Sequence, residues 1–326
     1  MKKKAVITII DTGYSYEEEL KMLQDAGFEA SYVPLEGTDD TDRIAEVCAG
    51  CSVVLAGPEL WDDAAFRRCP DLKLLARLGA GTEKIDLSAA SAHGVAVTNT
   101  PGANACSVAQ HVVAFMLDLA LGITNYDRDM RKANMSRHYS HDIIGAKIGF
   151  IGFGNVARTA AALLKGFNAE IYAFDVMPNE AVAHELGVTM TTVDDIVSKC
   201  DFISLHVPLN AQTAGMVDKE FLSKMKDTAY LINTSRGGVI KENDLIEALE
   251  NNVIAGAALD VYAEMPPRAD NPLIAMEKVV HTPYVAYSSK LANRSALEMA
   301  IDGIKKFFAN ETPGHLLNPD YVDRAR

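Results

Sequence analysis

Between Lys147 and Asp175 the chain reads KIGFIGFGNVARTAAALLKGFNAEIYAFD, and no other stretch restricts the possible folds so tightly. An apolar run of strand length, 148–153, leads into Gly152-Phe153-Gly154-Asn155-Val156-Ala157, which fits G-x-G-x-x-[G/A]. Val156, Ala160, Leu163, Leu164 and Phe167 then recur at helical spacing, and a second strand, 170–174, ends on Asp175. This strand–turn–helix–strand order is what a dinucleotide needs. Gly152 permits the tight turn out of the strand, and Gly154 leaves the backbone bare where a pyrophosphate would approach. Ala157 lets helix and strand close up, and the helix start at Asn155 and Val156 turns unpaired N–H groups toward the phosphates. Asp175 stands 18 residues after Ala157, close to the separation of about 20 at which a carboxylate takes the ribose hydroxyls. The same carboxylate repels a 2′-phosphate, and the following Val176-Met177-Pro178 supplies no Arg, so the expected cofactor is NAD and not NADP.

At 326 residues the chain has room for two domains of about 150 residues each. Ahead of the fingerprint, strand-like runs at 5–10, 28–34, 52–56, 72–78 and 95–98 alternate with helical ones at 16–26 and 41–48, the latter with an N-cap among Asp39 to Thr41. Such alternation predicts a parallel sheet covered by helices on both faces. No glycine fingerprint occurs there, so this first unit is not expected to carry the dinucleotide. Thr100-Pro101-Gly102 punctuates the chain, and an apolar helix over 104–121 leads into the second unit. Strands follow at 201–207, 230–234, 256–261 and 278–281, with a helix at 243–250. A last helix, 291–308, is expected to pack back on the first unit. The predicted class is therefore α/β, with two Rossmann-like or flavodoxin-like domains built on parallel sheets. Residues 1–103 plus 286–326 form one domain, and residues 104–285 form the nucleotide-binding one.

A net charge of −13 argues against a nucleic-acid partner, which needs a basic face. No apolar run reaches the 18 or so residues of a membrane span. Met1-Lys2-Lys3-Lys4 imitates the start of an export signal, but the apolar run behind it stops at Asp11 after six residues, which reads as a first strand. Five scattered cysteines (Cys48, Cys51, Cys69, Cys106, Cys200) suit a reducing cytoplasm. Cys48-x-x-Cys51 has metal or redox spacing without a second pair, so buried thiols are the expectation and no metal site is inferred.

Further segments carry a resemblance. They include Arg77-Leu78-Gly79-Ala80-Gly81, Asn99-Thr100-Pro101-Gly102-Ala103-Asn104, Ser107-Val108-Ala109-Gln110-His111 and Ser204-Leu205-His206-Val207-Pro208-Leu209. Asn233-Thr234-Ser235-Arg236-Gly237-Gly238, Ala257-Ala258-Leu259-Asp260-Val261-Tyr262 and Leu317-Asn318-Pro319 follow. In this order, from about residue 72 to 319, the chain resembles the NAD-dependent D-isomer-specific 2-hydroxyacid dehydrogenases. The resemblance implies two α/β domains with the active site in the cleft between them, and a homodimer through the nucleotide-binding domains. It implies that Arg236 holds and polarises a 2-oxo acid, a task suited to a planar, permanently charged guanidinium. By the same match, the loop Leu78, Gly79, Ala80 offers backbone donors to the substrate carboxylate. His206, Val207, Pro208 and Thr213 would line the cofactor, as would Thr234, Ser235, Asp260 and Ala286.

The chain departs from that family in its acid–base pair. The family's proton-transferring His follows Thr-Pro, whereas here the segment is His281-Thr282-Pro283-Tyr284 and Tyr284 fills the slot. The partner Glu position, five residues past Asp260, holds Met265, with Glu264 one residue early. The two changes fit each other, since a carboxylate that orients an imidazole has no partner once the imidazole is gone. A phenol, with an ordinary pKa of about 10, is protonated at neutral pH and can donate to a developing alkoxide. In the reverse direction it must first ionise, which Arg236 or Lys290 would assist. His281 is expected to be a packed strand histidine. Three readings stand: a reductase of a small 2-oxo acid giving the D-2-hydroxy acid, a nucleotide-binding sensor on the same fold, or an enzyme of altered chemistry.

Overall fold

The computed structural model describes residues 3–10, 13–35, 37–135, 137 and 139–321. Met1, Lys2 and Asp11, which bear on the N-terminal run above, lie outside the described residues. The chain divides into two compact units: Met1–Asn104 with Ser289–Arg326, and Ala105–Ser288.

In the first unit five parallel strands, β1 (Lys3–Ile7), β2 (Phe28–Tyr32), β3 (Cys51–Ala56), β4 (Leu74–Arg77) and β5 (Ala96–Thr98), lie in the order β2-β1-β3-β4-β5. Parallel strands are covered on both faces and so read as continuous apolar runs. Val53, Val54, Leu55 and Ala56 of β3 are accordingly all fully buried. The helix Thr41–Cys48 begins where the Asp40 carboxylate accepts the N–H groups of Asp42 and Arg43, at 2.9 and 3.2 Å. Cys48, Cys51 and Cys69 are all buried. Hydrogen bonding to Cys69, reinforced by burial, pushes the Cys48 thiol far up, as befits an inert core thiol.

The helix Lys290–Phe308 starts on Ser289, whose Oγ accepts from the Ala292 N–H at 3.1 Å. Leu297, Ala300, Ile301 and Ile304 on one of its faces share a core with Ala5, Ile7, Leu55 and Leu74 of the sheet, so it does pack on the first unit. Farther on, the buried Asn318 clamps the chain to β5: Oδ1 accepts from the Val97 N–H at 2.8 Å and Nδ2 donates to the Val95 carbonyl at 2.9 Å.

The second unit holds seven parallel strands, β6 (Lys147–Ile151), β7 (Glu170–Phe174), β8 (Val188–Met190), β9 (Phe202–Leu205), β10 (Tyr230–Asn233), β11 (Gly256–Leu259) and β12 (Val279–His281). Their order is β12-β11-β10-β9-β6-β7-β8, which reverses direction between β6 and β9. In such doubly wound sheets the ligand crevice opens at the carboxyl ends of the strands beside that reversal. The helix read over 156–167 is an α-helix over Asn155–Leu164 followed by a tighter turn, Lys165–Phe167. The helix Ala105–Leu121 packs against it. No single described helix is long and apolar enough to cross a bilayer.

Because Ile301 is fully buried between helix and sheet, Ile301→Ala should lower the unfolding free energy by about 2–5 kcal/mol, read from denaturant midpoints.

Candidate active site

The end of β6 is built for close approach. Gly152 has φ +93°, and a Cβ there would press into the His206 carbonyl at the end of β9, so only glycine lets the two strand ends meet. Gly154 caps the following helix, no side chain caps that helix start, and a Cβ on Gly154 would point into open space. Asn155 and Val156 open the first turn, where backbone N–H groups have no helical partner. At the end of β7 the Asp175 carboxylate is fixed by two backbone donors: Phe153 N–H to Oδ2 at 2.7 Å and Met177 N–H to Oδ1 at 2.8 Å. Its remaining lone pairs are available to hydroxyls. The bare glycine, uncapped helix start and oriented carboxylate fit a dinucleotide whose ribose bears no phosphate.

His206 is held neutral, its pKa pushed down to about 3 by burial. Its Nε2 lies 2.9 Å from Ser204 Oγ, and its ring sits beside Phe150. Val207 and Pro208 continue from it, and the Thr213 hydroxyl donates to the Pro208 carbonyl at 2.5 Å, closing the loop. The Thr213 side chain thus shapes the loop that Pro208 begins.

Arg236 sits just past β10 on a turn made by Asn233. The buried Asn233 amide oxygen accepts the Ser235 N–H at 2.9 Å and the Ser235 hydroxyl at 2.8 Å, while its NH₂ donates to the Arg236 carbonyl at 3.0 Å. Nη1 of the half-buried Arg236 donates to the Ser235 carbonyl at 2.9 Å. Gly237 packs so closely on the Tyr262 carbonyl that no Cβ fits. Beside this turn the Thr234 hydroxyl is buried with no hydrogen-bond partner among the described residues, a vacancy that suits a polar ligand.

The chain past β12 is gathered on Asp260. Oδ1 accepts the Thr282 hydroxyl at 2.5 Å and the Val285 N–H at 2.9 Å, and Oδ2 accepts the Ala286 N–H at 3.1 Å. The Tyr284 N–H donates to the Asp260 carbonyl at 3.0 Å. The Thr282 hydroxyl proton is committed to Asp260, so the 3.0 Å contact with His111 requires the imidazole Nε2 to be the donor. Ser107 Oγ donates to the Ala286 carbonyl at 2.8 Å. Asp260 and Ala286, read from sequence as cofactor-lining, are thereby placed as the frame of the loop that carries Tyr284.

Tyr284 itself has φ +56°, uncommon for any side chain bearing a Cβ. It is 44% exposed, its ring packed edge-on against Tyr287 with centroids 5.4 Å apart. The strand ends at His281, so the alternating facing of a strand does not extend to the tyrosine. His281 is half-buried, with Nδ1 2.5 Å from the Tyr262 hydroxyl and the ring stacked on Tyr262, as expected of a packed strand histidine. Glu264 is exposed on the loop after β11, where its charge raises the pKa of Arg268 after the larger effect of Asp270. Met265 turns its sulfur to the Tyr262 N–H at 3.3 Å.

In the first unit, the loop after β4 spends part of its donor capacity on itself. The Leu78 N–H goes to the Ala56 carbonyl at 3.0 Å and the Gly79 N–H to the Thr100 hydroxyl at 2.7 Å. The Asn99 amide holds the Ala80 carbonyl at 2.9 Å. Of the three residues expected to offer backbone donors, Ala80 alone has an N–H without a recorded acceptor among the described residues.

A doubly wound sheet with a dinucleotide cradle at its switch point, an adjacent guanidinium and a second parallel α/β unit define a nucleotide-dependent oxidoreductase type of architecture. Residues 113–286 match the family described as D-isomer specific 2-hydroxyacid dehydrogenase, NAD binding domain. A glyoxylate reductase of Korarchaeum cryptofilum is 32% identical over 333 residues, covering 99% of this chain and 98% of that protein. A D-3-phosphoglycerate dehydrogenase of Archaeoglobus fulgidus is 32% identical over 278 residues, 85% of this chain; that match spans only about half, 52%, of the relative. A solved acyclic imino acid reductase, held with NADPH and D-arginine, superposes with a TM-score of 0.82 at 25% identity, covering 96% of this chain and 99% of its own. The chain belongs to the D-isomer-specific 2-hydroxyacid dehydrogenase family, and its second unit contains that family's NAD-binding domain.

Two outcomes follow from the geometry. Gly152→Ala should weaken NADH binding at least about tenfold by fluorescence titration, because a helix-start phosphate site depends on that turn. Burial also holds the pKa values of His111, His206 and His281 below the ordinary imidazole value. The unfolded chain therefore takes up protons first as pH falls below about 6.5, and stability declines from there toward the folded pKa values. His206→Asn should make urea midpoints fall less steeply between pH 7 and pH 4.

Proposed function

We propose that the protein is an NAD-dependent reductase of a small 2-oxo acid, delivering hydride to the carbonyl carbon and yielding the D-2-hydroxy acid. The observation that carries this reading is the Asn233-built turn, which sets a half-buried Arg236 next to the orphaned hydroxyl of Thr234 at the end of β10. The guanidinium grips the substrate carboxylate and draws charge onto the carbonyl oxygen. In the loop Leu78-Gly79-Ala80, the Ala80 N–H is the backbone donor this reading offers to a carboxylate. Bound NADH supplies the hydride. Tyr284 gives its phenolic proton to the oxygen as negative charge develops, and solvent reprotonates it. Glu264, on the exposed loop after β11, is the carboxylate candidate in this reading. A homodimer through the second unit belongs to it as well, supported by exposed Leu121, Ile123, Met130 and Ile144 on that unit. Free cysteines support a reducing cytoplasm.

The missing imidazole also favours a second reading. An iminium carbon accepts hydride without any proton transfer to nitrogen, so a C=N substrate would not need the His slot filled. The similarity to an imino acid reductase supports that chemistry, although Asp175 here favours NAD. A nucleotide-binding sensor without turnover remains the contrasting class.

NADH oxidation with pooled 2-oxo acids, with and without methylamine, separates the three. Turnover without amine supports the oxo-acid reductase, turnover only with amine the imine reading, and tight NADH binding with neither the sensor. In the first case Tyr284→Phe should cost about 10²-fold or more in kcat with NADH affinity unchanged, while Tyr284→His should restore turnover with a pH profile near the imidazole pKa. Unaltered turnover in Tyr284→Phe removes tyrosine from the mechanism.

A further inference from the structure

The second unit holds a cavity on the edge of its sheet opposite the cofactor cradle. About 240 Å³ in volume, it lies where β6, β9 and β10 begin. Phe202 and Tyr230, the first residues of β9 and β10, line it, with His141, Asp142, Asp201 and Thr228 from the segments leading into the strands. All of these lie within Ala105–Ser288. Gly152, His206 and Arg236 follow the other ends of the same strands, about 13–17 Å away at about 3.3 Å per residue, so the cavity is separate from the site described above. Pockets for drug-sized ligands start at about 300 Å³, and this one therefore suits a molecule with a single ring.

One wall of the cavity is aromatic. The Phe202 and Tyr230 rings stack with centroids 5.3 Å apart, and His141 stands edge-on to Tyr230 at 6.1 Å. Its charge is acidic. The exposed Asp142 carboxylate has no hydrogen-bond or ion-pair partner among the described residues. Asp201 is engaged instead: Oδ2 accepts the Lys147 N–H at 2.8 Å and Oδ1 accepts from the Lys226 ammonium at 2.8 Å, which commits that ammonium as well. No Lys or Arg is among the residues that line the cavity. The Thr228 and Tyr230 hydroxyls and the His141 ring nitrogens also make no hydrogen bond among the described residues. Burial raises the pKa of Tyr230, so its phenol stays neutral and can accept a hydrogen bond.

An anion entering here meets Asp142 with no cation to hold it, whereas a cation gains both the carboxylate and the aromatic wall. A planar amidinium or guanidinium gains most, since it presents two parallel N–H groups to a carboxylate and lies flat on a ring. We propose that this cavity is a second binding site of the protein, taking a small planar cation whose N–H groups meet Asp142 and whose flat face rests on the Phe202–Tyr230–His141 wall. β9 and β10 run from this cavity to His206 and to the Asn233 turn that carries Arg236, so an occupant sits at the foot of both strands.

The probes are benzamidine, benzamide and benzoate, which share one ring and differ in charge, titrated by ligand-observed NMR on the NADH-loaded protein. Benzamidine should bind about fivefold or more tighter than benzamide, the sum of a cation–ring contact and an exposed ion pair, with benzoate weakest. Asp142 and Thr228 are both exposed, so substitutions there leave the core intact. Asp142→Asn should weaken benzamidine about threefold or more, and Thr228→Arg, which sets a guanidinium in the cavity, should abolish its binding. NADH affinity, unchanged in both variants, reports that they are folded. No preference for the cation, equal benzamidine affinity in both variants and wild type, or benzamidine binding only when NADH is left out overturns the assignment. So does a dimeric wild type that ignores benzamidine while Thr228→Arg sediments as a monomer, since a second copy then fills the cavity. None of these readouts involves turnover, and the site stands or falls apart from the reductase reading.

Discussion

The carboxylate of Asp260 holds the carboxyl edge of the second unit together. It is 1% exposed and accepts three hydrogen bonds from the segment after β12, while its own backbone N–H is bound to Asn233 at the end of β10. A buried carboxylate is tolerable only when so fully engaged, and the engagement has a structural consequence: β10, β11 and β12 finish at one fixed level. Arg236 and Tyr284 are both carried on turns that this carboxylate and the Asn233 amide define. Their placement follows from backbone hydrogen bonding to two polar side chains buried among parallel strands.

The same logic explains why both sheets are legible in the sequence. Strands buried on both faces must be apolar throughout, so interior strands such as β3, β6 and β9 stand out as runs, while the edge strand β2 shows through alternation instead. The strand that escaped, β8, is three residues at the sheet's edge, Val188-Thr189-Met190, with one exposed, too short to show any run. The helix Ile123–Arg131 escaped for the opposite reason: none of its residues is buried, so it has no apolar stripe to read.

Site residues divide in a similar way. Gly152, Gly154 and Asp175 were visible because a backbone conformation or a ligand dictates the residue type within one local unit. The residues that hold the loop of Tyr284 were not. Ser107 reaches Ala286 across 179 positions of sequence and His111 reaches Thr282 across 171. Pairings that distant leave no spacing to detect, even though Ser107 and His111 lie inside a recognisable segment.

In the proposed reading, Tyr284 is the place where the fold and the family's usual chemistry part. A positive φ at a tyrosine costs free energy, on the order of 1–3 kcal/mol, and persists only where surrounding bonds over-determine it. Here they do: the N–H groups of Tyr284, Val285 and Ala286 are all taken by Asp260. Those bonds are made by backbone groups and would be made with any residue at 284. The frame therefore does not specify imidazole or phenol; it specifies a side chain thrown outward from the strand end with its tip uncommitted. Such a frame permits the acid to change while Arg236, whose turn is built independently by Asn233, stays where it is. In that reading, a substitution at 284 with compensating loss of a carboxylate at 265 is structurally inexpensive, and its cost or benefit falls on the proposed proton transfer alone.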